Sequence, residues 1–323
     1  MNSRSIAFRP PRVGAALLIG LACSILAGAA GAQVVLIAPA SDLYEWEYRT
    51  RFDVGNLFRT DIDGGGSFEK LRFEGGFGVA GPLSRVVRVH LDFDYAHDAY
   101  DFGGASTSGC VDPAACFRGR PFDDINIVDL SAGVGLAIND AIQVVAIVPM
   151  RWAFERGADE LTISAGVSAG LRLRLSERFV TTLGIGVQSE IEDDMSVFPV
   201  VALDWQISDQ VSIRTRGDAF QGGDGALIWG PSDAFQALVS AGFVRERFRL
   251  DDGAPNSDGI GQYRAVPVTI GFRLNIAEGT FIAVEGGVAA AGELLLEDNG
   301  GNTLREENFD TAGIIHGAFH IQF

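Results

Sequence analysis

Ala312-Gly313-Ile314-Ile315-His316-Gly317-Ala318-Phe319-His320-Ile321-Gln322-Phe323 closes the chain. Counting back from the end, Phe323, Ile321, Phe319, Gly317, Ile315 and Gly313 fall on one face, and Gln322, His320, Ala318, His316 and Ile314 on the other. Strands place alternate side chains on opposite faces, so this stretch predicts a two-faced strand running to the last residue. One face is greasy and aromatic; the other carries two imidazoles.

A terminal Phe preceded by alternating apolar positions resembles the closing strand of bacterial outer-membrane β-barrels. The resemblance implies an all-β, antiparallel transmembrane barrel in the outer membrane of a two-membrane bacterium. It also implies two partners: outer-membrane lipid, and the barrel assembly machinery that reads the strand ending at Phe323. It specifies neither substrate nor family.

The other end of the chain agrees. Arg4, Arg9 and Arg12 precede an almost wholly apolar run, Val13 to Leu26, and Ala30-Gly31-Ala32 offers a small-residue cleavage site. This is the pattern of a secretory signal peptide over 1–32, to be set aside from fold reasoning. Residues 33–42 then read as a short periplasmic segment and 43–323 as the barrel. After Gln33 no apolar run reaches 18 residues, so spanning helices are not expected.

The formal charge is −17, and removing the three signal arginines with no acid deepens it by three. Such acidity repels phosphate backbones and argues against nucleic acid. Of three cysteines, Cys110 and Cys116 remain after processing, in a Gly/Ser/Pro-rich stretch. In an exported chain their default is one local disulfide. No cofactor is implied.

Strand-like segments recur along the chain, and their connections alternate in character. Six are tight: 81–84, 139–140, 176–178, 208–210, 231–233 and 277–279. Seven are longer or more acidic, near 56–67, 97–122, 156–160, 191–195, 221–225, 251–261 and 297–308. Short turns at one end and longer loops at the other are the plan of an outer-membrane barrel, here with fourteen strands, or twelve if the hairpin around 211–230 fails.

Within strands the alternation separates an apolar face from a charged one. Val87, Val89, Leu91, Phe93 and Tyr95 oppose Arg88, His90, Asp92 and Asp94; Leu171 and Leu173 oppose Arg172 and Arg174. If lipid meets the apolar face, the lumen is lined by Glu45, Glu47, Arg49, Arg51, Arg72, Glu74, Arg88, His90, Asp92, Asp94, Arg172, Arg174, Arg214, Arg216, Arg273, Glu285, His316 and His320. One segment breaks the rule: Arg245, Arg247 and Arg249 share parity with apolar Phe235 to Phe243. Either a bulge resets them, or they project outward toward lipid phosphates.

The charged interior predicts a porin-like channel for small polar solutes. A structural or surface-interaction barrel is the alternative, and a barrel-wall hydrolase using His90 with Asp92 is a second. No metal site is expected. His316 and His320 lie about 13–14 Å apart on a strand, too far to share an ion. Gly166-Val167-Ser168-Ala169-Gly170 matches a hydrolase motif in text but lies inside a continuous strand pattern.

Overall fold

The computed structural model describes residues 45–103, 121–158, 162–191, 193–218, 220, 222–251 and 258–323; Cys110 and Cys116, and the segment over 1–32 that reads as a signal peptide, lie outside them. The described residues form strands and turns only. The strands are β1 (Glu47–Asp61), β2 (Ser67–Pro82), β3 (Val87–Gly103), β4 (Asp124–Asn139), β5 (Ile142–Glu155), β6 (Ile163–Ser176), β7 (Phe179–Glu190), β8 (Asp193–Gln206), β9 (Val211–Asp218), β10 (Gly222–Ser232), β11 (Phe235–Arg249), β12 (Ile260–Ala277), β13 (Thr280–Glu297), β14 (Thr303–Phe309) and β15 (Ala312–Gln322).

Neighbours pair antiparallel in chain order, and β15 returns to β1, closing the sheet. β14 and β15 both pair with β13, one after the other, so they occupy a single place in the wall. The barrel therefore has fourteen strand positions. All six tight turns fall where their sequences predict, and the 211–230 segment does form two strands. The terminal residue is stapled in place: the Phe323 and Tyr48 backbones exchange two hydrogen bonds, 2.8 and 3.0 Å, and their rings stack at 6.0 Å.

Lipid-facing positions follow the alternation. Phe52, Phe77, Phe93, Leu171, Ile185, Ile270 and Val284 are exposed on the outside, while Arg88, His90 and Arg151, of opposite parity, are buried within. A closed ring pairs backbone groups between neighbouring strands, which is why a barrel can stand in hydrocarbon.

The wall is not uniform. Several strands run well into stretches that read as loops: β1 continues to Asp61, β3 to Gly103, and Thr303–Phe309 is strand rather than connection. By contrast, β6 to β10 stop lower on the long-connection side. Above them β11 crosses the barrel, and Arg249 bridges to Phe154 of β5 in parallel. The Glu155 carboxylate fastens this crossing by accepting from the Asp123 and Asp251 amides at 2.7 and 2.9 Å. The result is two tiers: a full fourteen-strand ring at the short-turn end, and a narrower ring above it from which β6 to β10 are missing.

The upper tier has its own dry core. Phe68, Tyr100, Phe122, Phe248, Leu294 and Phe309 are among the buried residues of one cluster, which draws on β1 to β5 and β11 to β15 and on none of β6 to β10. Their rings meet edge to face, as in Phe68–Phe309 at 4.9 Å and Phe122–Phe248 at 5.0 Å. Each such side chain stabilises the closed tier by about 1.5–3 kcal/mol.

The crossing also explains Arg245, Arg247 and Arg249. No bulge resets their parity; pairing of β11 with β12 keeps one register from Phe235 to Arg249. Nor do they reach lipid phosphates. Where β11 leaves the outer ring, its back faces the connections of β5–β6 and β7–β8. Arg245 meets Glu190 at 2.7 Å, Arg247 donates to the Ile191 carbonyl at 3.0 Å, and Arg249 to Thr162 at 3.0 Å.

Candidate functional site: the vestibule and its two barriers

Below the dry core the interior is charged and reaches water. On the β1–β3 side, Arg49 pairs with Asp92 at 2.9 Å, and Arg51 with Asp94 at 3.0 Å and Glu74 at 2.5 Å. The first two pairs skip a strand. Gly76 and Gly78 of β2 lie between, and a Cβ on either would overlap the Asp94 or Asp92 carboxylate. Glycine there leaves the gap through which β1 reaches β3. The Arg51 side chain remains 47% exposed, so this part of the lumen is wet. Arg88 pairs with Glu47 at 2.7 Å, and His316 lies 3.3 Å from Asp53.

The ceiling of this vestibule is an ionic bridge. Glu246 of β11 accepts from Lys70 at 2.7 Å and from Arg72 at 2.5 Å, both on β2, which is not a neighbouring strand. Asp98 of β3 completes the group, 3.2 Å from Arg72 and 3.5 Å from Lys70. Two cations thus face two carboxylates, and the Glu246 side chain is only 4% exposed. Lys70, the single lysine of the chain, also sits 4.2 Å from the Tyr263 ring centre, a cation–π contact. Of the residues expected to line the lumen, Arg72 takes part in the bridge across it, and Glu74 joins Arg72 to Arg51 at its edge.

The side wall carries a second feature. β8 and β9 pair only at Gln206–Ser212, Trp205–Ile213 and Asp204–Arg214. One position further, the Leu203 amide turns to the Thr215 hydroxyl at 2.8 Å instead of a strand carbonyl. Above that point β8 is an edge strand, and Pro199, which has no N–H to donate, lies in it. Behind this seam Phe198 and Val200 point inward and pack with Phe220, from the connection between β9 and β10. The Arg151 guanidinium, held by two bonds to Asp129 at 2.7 and 2.5 Å, lies 5.4 Å from the Phe220 ring centre. The neighbouring wall is apolar too, with Ala226, Ile228 and Leu238 buried together.

Several expected lumen residues sit near the short-turn rim. Arg214 is 3.4 Å from Asp204, Arg273 lies over the Phe281 ring at 4.1 Å, and His320 stacks on Phe281 and contacts the Gly279 carbonyl at 3.0 Å. Glu285 accepts from Thr269 at 2.7 Å. Arg172 and Arg174 face inward on β6. Glu45 is exposed just before β1, and the Arg216 side chain lies outside the described residues. The hydrolase pair is not assembled: His90 is buried against Gly133 of β4, while Asp92 and Asp94 are occupied by Arg49 and Arg51. His316 and His320 do share a wall with β1, whereas His90 packs toward β4.

Sequence reading missed Lys70, Asp98, Glu246 and Phe220. Lys70 and Glu246 carried a usable signal, since each is an ionisable residue two places from a phenylalanine of the same parity, Phe68 and Phe248, that the structure buries.

The closed ring, its apolar belt and its charged interior define an outer-membrane β-barrel. No known protein family matches the sequence, and no curated protein does either. Solved structures with similar architecture include the P. putida toluene transporter TodX, at 11% identity over 92% of this chain and 96% of that one, TM-score 0.43. An outer-membrane channel from Pseudomonas putida F1 is 9% identical over 88% of this chain and 100% of the other, TM-score 0.44. The translocator domain of the autotransporter NalP from Neisseria meningitidis is 10% identical over 85% and 87%, TM-score 0.32. At such identities the likeness extends to the barrel architecture and no further.

Proposed function

We propose that the protein is a gated outer-membrane channel for small solutes, seen in its closed form. The observation that carries this reading is a wet, charged vestibule that ends blindly at the Lys70–Arg72–Glu246 bridge beneath a dry core. A barrel that served only as a wall has no need of a solvent-filled half. In orientation, the short turns face the periplasm, so the vestibule opens inward to the cell and the bridge closes it from outside. Export by the 1–32 leader and recognition of the Phe323 strand by the assembly machinery belong to the same reading.

Two routes leave the vestibule. The axial route requires the bridge to part. The lateral one runs between β8 and β9, where among the described residues Phe220, Phe198 and Val200 stand in the way. The charged wall suits polar solutes, and the apolar wall at the seam suits solutes with a nonpolar part.

Single-channel recording in planar bilayers tests the proposal. Wild-type protein should show rare, brief openings. Glu246→Ala should lengthen axial openings, and Phe220→Ala should open the lateral route. Silence from all three proteins would reject a channel. It would favour a surface-interaction barrel, whose sealed outer tier is the one feature that speaks for that alternative.

A further inference from the structure

Charge pairing in the interior is uneven, and the imbalance lies in one place. Toward the long-connection side, cations meet carboxylates: Lys70, Arg72, Arg151, Arg245 and Arg247 each do. On β6, near the short turns, Arg172 and Arg174 have no carboxylate within ion-pair distance among the described residues. Arg172 is nevertheless nine-tenths buried, 9% exposed, inside a protein of net charge −17. A guanidinium withdrawn from water and left without a counter-charge is costly.

The surroundings are those of a receptor for negative charge. Strand register places Arg174, Val180, Asp204 and Arg214 on one level across β6 to β9, and Arg172, Thr182 and Ala202 on the next. Thr182 is buried beside Arg172 and points inward with it, adding a hydroxyl donor. Gln143 of β5 is the Arg172 partner on the other side, adding an amide. The one nearby acid, Asp204, is taken up by Arg214. Two planar guanidinium forks with an amide and a hydroxyl form a donor set for oxygen anions, which they bind through paired N–H···O contacts.

We infer that Arg172 and Arg174 form an oxyanion-binding site in the vestibule wall, for a small carboxylate or phosphate. The site lies at the level where β8 and β9 part: Arg174 is level with their last pair, Asp204–Arg214, and Arg172 with Ala202 just beyond it. An anion held there by its oxygens has Ala202 and Val200 beside it, so a carboxylate with a nonpolar body is the better fit and a phosphate the simpler one. The inference rests on the wet vestibule of the channel reading, but not on passage through it.

Titration calorimetry on the detergent-solubilised full chain, with sodium benzoate and with sodium phosphate at fixed chloride, tests it. At least one should bind, and Arg172→Gln should weaken binding about tenfold or more, the loss of one charge-assisted contact. Arg172→Lys keeps the charge and should lose less, which separates a binding role from a folding defect; heat-dependent gel mobility checks that each variant is folded. Benzoate binding without phosphate binding selects the carboxylate, and the reverse selects phosphate. No heat with either anion, or unchanged affinity in Arg172→Gln, overturns the site. Binding without conductance keeps the site and rejects the channel; conductance without binding does the opposite.

Discussion

The two tiers of the barrel use the same kinds of residue under different solvent conditions. In the lower tier Arg49–Asp92 and Arg51–Asp94 are ion pairs between partly exposed side chains. In the upper tier Lys70, Arg72, Asp98 and Glu246 form ion pairs closed off by aromatic rings. Exposed pairs are screened and contribute about 0–1 kcal/mol each. A buried pair is different: both charges have been desolvated, so removing one strands the other. What separates the tiers is the crossing of β11 to β5, which narrows the ring until side chains fill it.

This contrast can be broken at three points. Glu246→Ala should have the largest effect, since it leaves Lys70 and Arg72 buried without their shared partner. The expected destabilisation is about 3–5 kcal/mol in urea unfolding from lipid vesicles. The same variant should expose Lys70 to amine-reactive reagents. Because the chain has a single lysine, mass spectrometry of the labelled protein reports that site against the N-terminal amine alone. Equal labelling of wild type and variant would mean that the bridge does not seal the barrel.

Leu296→Ala comes next. Leu296 is fully buried in the upper core, and its truncation should cost about 2–5 kcal/mol. A loss near zero would mean the upper tier is loosely packed and does not act as a plug. Arg49→Gln is expected to be mildest, under about 1 kcal/mol, because its pair with Asp92 is open to water. Should it match Glu246→Ala, the two tiers would not differ in solvent and the vestibule would be dry.

Much of the fold is legible in the residues. The alternation in Val87–Tyr95 or Ile163–Leu175 identifies each outward face, and the tight turns set the strand count. Arg245, Arg247 and Arg249 mark where that reading ends. Their parity is unbroken, yet their surroundings change from lipid to protein, because strand parity says which side of a sheet a residue takes and not what lies on that side. The candidate site divides likewise. Arg172 and Arg174 are readable as inward cations, but their lack of a partner depends on which acids the register brings near. Glu246 is readable as inward, but its partners on β2 lie across the lumen and about 175 residues away in the chain.

The sequence by itself determined the strand period, the face that meets lipid, the number of wall positions and the strand that closes the ring. These follow from local geometry, in which a side chain's side is set by its neighbours two residues away. Only the tertiary structure decided that side chains fill one half of the barrel while Arg51 in the other stays exposed, that β8 and β9 part, and which charges are paired. Those depend on distances across a closed ring, and they change when one strand leaves the wall to meet another that is not its neighbour.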